Sequence, residues 1–183
     1  FAGIADIGKS RSKPYHTINM NVMGVTIALE AAIKAKIDRF IYASTMYVYS
    51  SHGSFYRASK QAAEIIIKAY ADSHKLNYTL LRYGSLYGPR SQSWNGLHRY
   101  VEQVVREGRL DYIGTGKERR EYIHVKDAAR LSVDILDNSH KNKAVTITGN
   151  QVLDSKVLIN MIFEISGTKY DVNFIKENIS GDH

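Results

Sequence analysis

Strand-like and helix-like segments alternate along the first half of this chain, and this alternation limits most strongly the folds open to it. Two short apolar runs, Arg39–Thr45 and 78–83, have the composition of buried strands. Helical spacing of apolar residues precedes the first run over 19–35 and separates the two runs over 56–74. Because no tight hairpin turn joins the strands, we expect them to be parallel and connected by helices. The prediction is an α/β fold with a parallel sheet.

The second half of the chain carries shorter segments of both kinds. Asn95 and Gly96 mark a turn before the next helix. Asp127 and Asp154 are the expected N-caps of two further helices, and Gly167 is the expected end of the second. The predicted elements are helices over 97–107, 127–136 and 154–166 and strands over 112–113, 122–125, 144–148 and 170–175.

Composition excludes several classes of protein. The 183 residues contain no cysteine, which excludes disulfide scaffolds, thiolate metal sites and cysteine nucleophiles. No apolar run approaches the roughly 20 residues of a membrane span. The formal net charge of +7 fits either a nucleic-acid surface or a smaller anion such as a phosphorylated substrate. Because the basic residues are spread out and form no long run, we expect no nucleic-acid partner.

Tyr56 and Lys60 form the most informative local pattern. Positions i and i+4 share one face of a helix, so this phenol and ammonium can lie side by side. A nearby positive charge favours the phenolate and lowers the pKa of a tyrosine from its reference value near 10. Such a phenol is a usable general base or acid near neutral pH. The alternative is a surface tyrosine and lysine at helical spacing, because this spacing alone is common.

Thr45 ends the first predicted strand, a few residues before the Tyr56 helix. In an open parallel sheet, ligands bind beyond the carboxyl ends of the strands. A hydroxyl at this position is therefore a candidate third catalytic group. The alternative is that Thr45 only makes a local hydrogen bond that ends the strand.

Several motifs, taken in order, resemble the extended short-chain dehydrogenase/reductase family, which contains the NAD-dependent nucleotide-sugar epimerases and dehydratases. The similar segments are SRSKP at 10–14, NVMG at 21–24, RFIYASTMYVY at 39–49, YRASK at 56–60, LRYGSLYGPR at 81–90 and GTGKERREYIHVKDAA at 114–129. The resemblance covers nearly the whole chain and is nearest to the UDP-glucose/UDP-galactose 4-epimerase type. It implies a Rossmann-like doubly wound parallel sheet with a smaller α/β substrate-binding domain.

The resemblance also implies roles for individual residues. Tyr56 would accept and return a sugar hydroxyl proton, Lys60 would bind the nicotinamide ribose, and Thr45 would hydrogen-bond the reacting oxygen. The implied cofactor-binding residues are Ala2, Gly3, Asn21, Tyr56, Lys60 and Tyr83. The implied substrate-binding residues are Thr45, Ser85, Arg90 and Arg120, with Arg120 at the diphosphate. No metal site is expected, because the histidines lack the spacing of metal ligands.

The same resemblance implies how the chain is divided. Residues 1–90 and 125–150 would form part of an NAD-binding domain, and 91–124 and 151–183 part of a substrate-binding domain. The family's glycine-rich phosphate loop is absent and the chain starts at Phe1, so we expect a longer protein whose N-terminal part is missing here. NAD is the expected cofactor, with NADP left open. The expected partners are a nucleotide sugar and a second copy of the chain, paired through a four-helix interface, in a cytoplasmic enzyme without a membrane partner.

Met46 and Tyr47 occupy the positions that distinguish dehydratases from epimerases within the family. Sugar 4,6-dehydratases resemble one another in an Asp-Glu pair after the catalytic Thr, and water elimination needs such an acid and base. Because Met46 and Tyr47 stand there instead, we predict an NAD-dependent epimerase acting at C4 of a UDP-sugar, by reversible hydride transfer through a keto intermediate. The alternatives are a dehydratase or reductase of the same fold, and a non-catalytic dinucleotide-binding sensor or scaffold. Ser85 replaces the family's Asn, which weakens that substrate contact.

Overall fold

The computed structural model describes residues 3–175, which divide into two units. The first unit contains residues 3–83 and 129–147, and the second contains 84–128 and 148–175. Each unit is therefore built from two separated stretches of chain. The expected assignment of one unit to the cofactor and the other to the substrate stays a prediction.

The first unit alternates helices and strands, as the sequence predicts. Its helices are α1 (Ile7–Ser12), α2 (Pro14–Ile18), α3 (Gly24–Lys34) and α4 (Ser54–His74), and α6 (Val125–Asp134) runs into it from the second unit. Its strands are β1 (Arg39–Thr45), β2 (Asn77–Tyr83) and β6 (Lys143–Ile147). The strand predicted at Arg39–Thr45 is confirmed at both ends.

The strands of the first unit form one parallel sheet in the order β1-β2-β6. Thr45 lies opposite Tyr83, and Tyr83 lies opposite Ile147. The carboxyl ends of all these strands therefore meet at one edge. This is the edge at which open parallel sheets bind their ligands.

A buried apolar cluster fixes the helices of the first unit on this sheet. Leu29 of α3, Ile67 of α4 and Leu80 of β2 are each fully buried. The cluster comprises Leu29, Tyr42, Ala63, Ile67, Leu76 and Leu80. Burying one such aliphatic side chain contributes about 1.5–3 kcal/mol, so this cluster holds α4 firmly against β1 and β2.

The helix predicted over 19–35 is present but starts irregularly. A π-helical turn spans Asn19–Met23, and regular α-helix follows in α3. Asn21 is buried within this turn, at 2% exposure. Single π-helical turns occur often at functional sites, because the extra residue redirects a side chain.

The second unit contains two small sheets and two longer helices. In one sheet, β3 (Ser85–Tyr87) pairs parallel with β5 (Arg119–His124), which pairs antiparallel with β7 (Val152–Asp154). In the other, β4 (Leu110–Ile113) and β8 (Val172–Ile175) run parallel. The helices are α5 (Gly96–Glu107) and α7 (Ser155–Ser166). Their buried residues form a core with β4: Val104, Leu110, Tyr112, Leu158, Ile159, Ile162 and Phe163.

Helix ends in the second unit confirm one expectation and correct another. Gly167 ends α7 in the left-handed conformation, with a φ of 66°. Asp154 does precede α7, but its side chain makes no capping hydrogen bond and instead lies 3.6 Å from Arg119. Asp127 is not an N-cap, because α6 begins earlier, at Val125, and places Asp127 in its first turn. A carboxylate in the first turn of a helix is still stabilised by the positive end of the helix dipole.

Candidate active site

Thr45 stands at the carboxyl edge of the first unit's sheet, where β1 ends. Its side chain is buried at 6% exposure, and its Oγ1 accepts a hydrogen bond of 3.2 Å from the backbone N–H of Tyr47. This bond caps a short 3₁₀ turn at Met46–Tyr49. The local role that we considered for Thr45 is therefore present. The Thr45 side chain also lies near enough to Tyr56 to lower the pKa of that phenol, against the larger opposing effect of burial.

Lys60 follows Tyr56 by one helical turn on α4 and points at the same edge. Its Nζ donates a 2.8 Å hydrogen bond to the carbonyl of Ala43 on β1. The same Nζ lies 4.8 Å from the centre of the Tyr42 ring and 5.9 Å from the centre of the Tyr56 ring. The structure therefore brings Thr45, Tyr56 and Lys60 together.

Burial dominates the electrostatics of this cluster. Burial lowers the pKa of Lys60 to about 8, against the opposing effect of the Glu64 carboxylate. Burial also raises the pKa of Tyr56, although its hydrogen bond with Thr45 acts in the opposite direction. The expectation that Lys60 leaves Tyr56 with a lowered pKa is wrong for this arrangement, because removing the phenolate from water outweighs the favourable contacts.

The segment between Thr45 and α4 is fixed against that helix at several points. Arg57 Nη1 donates to the Ser50 carbonyl at 2.6 Å, and Gln61 Nε2 donates to the Val48 carbonyl at 2.9 Å. These bonds hold the short segment in place over the start of α4.

Tyr47 and Gly53 meet within this segment. The Tyr47 ring meets the Tyr56 ring edge-on, with centroids 6.1 Å apart. Gly53 has a φ of 98°, and a Cβ there would lie 2.9 Å from the Tyr47 ring. Glycine at 53 is therefore what lets Tyr47 pack beside Tyr56.

Asn21 connects the beginning of the described chain to α4. Its Oδ1 accepts from the Ile4 N–H at 2.8 Å, and its Nδ2 donates to the Ile4 carbonyl at 2.9 Å and to Ser59 Oγ at 3.0 Å. A Cβ on Gly3 would lie 2.9 Å from Asn21 Oδ1, so only glycine fits there without a shift. The amide of Asn21 thus holds Ile4 beside the helix that carries Tyr56 and Lys60.

The remaining predicted site residues are distributed more widely. Tyr83 ends β2 opposite Thr45, and its hydroxyl lies 2.6 Å from Ser132 Oγ. Ser85, Arg90 and Arg120 belong to the second unit, where Ser85 begins β3, Arg90 follows β3, and Arg120 lies within β5. Ala2 lies outside the described residues.

A carboxylate that the sequence analysis did not single out lies directly behind the cluster. Glu64, on the turn of α4 after Lys60, accepts hydrogen bonds from Ser44 of β1 and Arg82 of β2. The signal was available in the sequence. Arg82 is a charge inside an apolar strand, and such a charge needs a partner when it is buried.

Within residues 3–175, no group of His, Asp and Glu side chains could hold a metal ion. In that same stretch, no helix is both long enough and apolar enough to cross a membrane.

The fold and this cluster can be compared with known proteins. A UDP-glucose 4-epimerase from Thermotoga maritima, solved with UDP-glucose, superposes with a TM-score of 0.90 at 24% identity, over 100% of this chain and 64% of that one. A UDP-glucuronic acid 4-epimerase from Bacillus cereus, solved with UDP-glucuronic acid and NAD, gives a TM-score of 0.89 at 26% identity, over 99% and 62%. The fold is therefore Rossmann-like, as expected.

Curated proteins give the same picture. A dTDP-glucose 4,6-dehydratase from Streptomyces griseus is 26% identical over 179 residues, which cover 90% of this chain and 55% of that protein. A UDP-glucuronate 4-epimerase from Thermodesulfobacterium geofontis is 23% identical over 231 residues, covering 97% and 72%. The chain spans about half the length of the first of these relatives.

By its fold and its site, the chain is a Rossmann-type α/β protein with a hydroxyl, a phenol and an ammonium at the carboxyl edge of its parallel sheet. The family model described as "NAD dependent epimerase/dehydratase family" matches residues 1–148. The chain belongs to that family.

Proposed function

We propose that this chain forms part of an NAD-dependent epimerase that inverts one carbon of a nucleotide sugar, at C4 of a UDP-sugar. The observation that carries the proposal is the meeting of Thr45, Tyr56 and Lys60 at the carboxyl edge of a parallel sheet. A binding scaffold has no need of a hydroxyl, a phenol and an ammonium gathered at this edge. Membership in a family of epimerases and dehydratases supports the same reading.

In the proposed reaction, Tyr56 carries the proton. Burial raises the pKa of Tyr56, so this step requires the deprotonated form of the side chain. In that form the Tyr56 oxygen takes the proton of the sugar hydroxyl as the hydrogen on the same carbon leaves as hydride, which yields a keto sugar. NAD, when bound, supplies the hydride acceptor and then returns the hydride, so no net oxidation occurs. Tyr56 would give its proton back to the same oxygen when the keto carbon is reduced from its opposite face. Thr45 orients the reacting oxygen through its hydroxyl.

Residues of the first unit fit such a cofactor. An ammonium has three donors, and Lys60 gives one to the Ala43 carbonyl, which leaves protons for ribose hydroxyls. Gly3 has no room for a side chain, and its lack of one lets the Asn21 side chain lie close to the backbone at this position. We propose Gly3 and Lys60 as direct cofactor residues and Asn21 as the residue that holds Gly3 in place.

Epimerisation is favoured over dehydration by what lies next to Tyr56. Met46 and Tyr47 occupy the 3₁₀ turn after Thr45, and the Tyr47 ring packs against Tyr56. The turn therefore lacks the Asp-Glu pair that follows the catalytic Thr in sugar 4,6-dehydratases and that supplies the acid and base of water elimination. Glu64 is occupied by Ser44 and Arg82.

The second unit is proposed to bind the nucleotide diphosphate of the substrate. Arg120 is the first candidate and Arg90 the second, because a planar guanidinium can grip phosphate oxygens in pairs. Ser85 is a candidate contact to the sugar. The relatives solved with UDP-sugars support this substrate class.

The assembly proposed is a cytoplasmic homodimer that pairs through α3 and α4. Met20, Met23 and Ile27 recur at helical spacing and are 41%, 49% and 67% exposed, and Ile65 of α4 is 68% exposed. An exposed apolar stripe of this kind is typical of an interface. Sedimentation of the full-length gene product as a dimer at micromolar concentration is the expected result, and a monomer would remove this part of the proposal.

The test of the function is direct. The full-length gene product is incubated with NAD and with UDP-glucose, UDP-galactose, UDP-glucuronate and the N-acetylated UDP-sugars, and the products are resolved by chromatography. We expect a C4 epimer from at least one of them, without net formation of NADH. Formation of a stable 4-keto product, or of no product from any sugar, contradicts the proposal.

Replacing Tyr56 by Phe tests the residue on which the proposed reaction depends. The Tyr56→Phe variant removes the proton carrier, so we expect kcat to fall by about 10²–10⁴-fold. Tyr70→Phe is the matched control, because Tyr70 lies on the same helix and its hydroxyl donates to Glu30 on the exposed side. The control is expected to keep its turnover.

A further inference from the structure

Glu64 and Arg82 form a buried ion pair in the first unit. The side chain of Glu64 is 7% exposed and that of Arg82 is 14% exposed. Arg82 binds both carboxylate oxygens, with Nε 3.0 Å from Oε1 and Nη2 2.5 Å from Oε2. Ser44 Oγ donates to the same Oε1 at 2.5 Å. The carboxylate of Glu64 therefore connects α4, β1 and β2 at a single point.

On each of α4, β1 and β2, the residue of the Glu64 cluster lies next to a residue of the candidate active site. Glu64 follows Lys60 by one helical turn, so the two residues share a face of α4. Ser44 follows Ala43, whose carbonyl receives the Lys60 ammonium, and precedes Thr45. Arg82 lies opposite Ser44 in the sheet, one residue before the pair of Thr45 and Tyr83. Each contact of Glu64 thus lies one step from a contact of the site.

Stability alone is a weak reason for such a pair. Taking two charges out of water costs about as much as their attraction returns, and apolar replacements of similar volume are often as stable. A buried ion pair does fix geometry, because its hydrogen bonds are directional and a displaced partner leaves a charge unpaired. The bidentate Arg82 fork is well suited to hold one strand against a helix.

We propose that Glu64 is a positioning residue for the active site: by binding Ser44 and Arg82 it sets the height of α4 on the sheet, and so aligns Lys60 with the Ala43 carbonyl and Tyr56 with Thr45. This inference rests on the proposed function of Tyr56 and Lys60. It adds to that function a residue that contacts none of the reacting groups.

The charges around these residues decide the sign of the expected change. Lys60 faces Tyr42 of β1 and Tyr56 of its own helix, while Glu64 faces Ser44, Arg82 and Lys68, and Arg82 also contacts Tyr49. The Glu64 carboxylate raises the pKa of Lys60 against the effect of burial. Removing its charge leaves Arg82 uncompensated as well. Both changes disfavour the Lys60 ammonium, so its pKa falls.

The experiment uses Glu64→Gln in the full-length gene product, because glutamine keeps the shape and one acceptor but loses the charge. We expect kcat to fall on the order of 10²-fold, the loss typical of a misplaced catalytic group, with KM for the sugar nucleotide nearly unchanged. The alkaline limb of the kcat profile is expected to move to lower pH. Arg82→Lys is expected to retain more activity than Arg82→Met.

A second measurement, the pKa of Lys60, reports on the surroundings of this residue without relying on enzyme turnover. Competitive labelling of lysine amines across a pH series gives the pKa of Lys60, expected near 8 in the unaltered protein and lower in Glu64→Gln. The control is Glu102→Gln, because Glu102 pairs with Arg106 at 2.8 Å on the exposed side of α5. This control is expected to change neither the pKa of Lys60 nor kcat.

The outcomes separate this inference from the proposed function. An inactive unaltered protein contradicts the function, and the labelling result still decides the positioning role. An active protein whose Glu64→Gln variant keeps its kcat and the pKa of Lys60 overturns the inference. Loss of activity only in proportion to the unfolded fraction, measured by circular dichroism on the same samples, overturns it too.

Discussion

Two carboxylates, Glu64 in the first unit and Glu118 in the second, each organise a set of hydrogen-bond donors, but over very different distances along the chain. Glu64 binds Ser44 and Arg82, which are 20 and 18 residues away. Glu118 binds the N–H groups of Thr115 and Gly116 and the hydroxyls of Thr115 and Tyr112, all within six residues.

The difference lies in what each carboxylate holds together. Glu118 closes the glycine-containing turn between β4 and β5, and its partners are near it before the chain folds. Glu64 joins elements that meet only in the folded first unit. A long-range carboxylate can therefore transmit alignment to an active site, whereas a local one stabilises a turn.

The largest expected effect in this comparison follows from removing the Glu64 carboxylate. Glu64→Ala leaves the Arg82 guanidinium buried without its partner, and we expect a loss of about 3–5 kcal/mol in the free energy of unfolding. Urea unfolding followed by circular dichroism measures it. Hydrogen exchange is expected to rise in β1, β2 and α4 together, and a rise confined to α4 would contradict the long-range role.

The matching change at Glu118 is expected to have a smaller effect. Glu118→Ala removes charge-assisted hydrogen bonds at a partly exposed turn, and we expect a loss of about 1–2 kcal/mol. Hydrogen exchange should rise only over 110–118. The single tryptophan, Trp94, lies in the second unit and reports its unfolding by fluorescence. A loss as large as that of Glu64→Ala would break the comparison.

Low pH is expected to affect the stability of the unaltered protein more than that of the Glu118→Gln variant. Burial alone would raise the pKa of Glu118, but hydrogen bonds from Thr115 and Tyr112 lower it to about 2. A carboxyl whose pKa is lowered on folding stabilises the protein above its unfolded pKa, near 4.5. That contribution is lost as the pH falls from about 4.5 towards 2, so stability should decline over this range. Glu118→Gln should decline less, and equal slopes in urea titrations would contradict this.

The smallest effect is expected at the exposed pair of Glu102 and Arg106. Their side chains are 38% and 74% exposed, so water and salt screen the attraction between them. Glu102→Gln should change the free energy of unfolding by less than about 0.5 kcal/mol. A loss comparable to that of Glu64→Ala, in the same urea measurement, would show that burial is not what distinguishes the two pairs.

Much of the fold was predictable because its signals are local. The apolar run of β1 and the helical spacing of α4 each reflect a period that a few residues define, and both predictions are confirmed. Gly167 ends α7 as expected, since a left-handed residue favours glycine. The N-cap predicted at Asp127 was wrong, because helix boundaries depend on the strand that runs into them as well as on the capping residue.

The candidate site was predictable only in part, for the same physical reason. Tyr56 and Lys60 are one turn apart on a helix, and Thr45 ends a strand. Their residue types and spacing were therefore enough to predict them as candidate site residues. The pKa of Tyr56 could not be predicted in this way, because burial acts on it more strongly than any neighbour in the sequence. The contact of Asn21 with Ser59, 38 residues away, was equally hidden.

By itself, the sequence determined the alternation of helices and strands, the turn residues and the chemistry present on α4, since each is set by interactions within a few residues. Only the tertiary structure decided which side chains became buried and which distant residues they met. Burial removes water from charged groups, which is why the buried Glu64 carboxylate needs the Arg82 guanidinium as its partner. For the same reason burial lowers the pKa of Lys60 and raises the pKa of Tyr56.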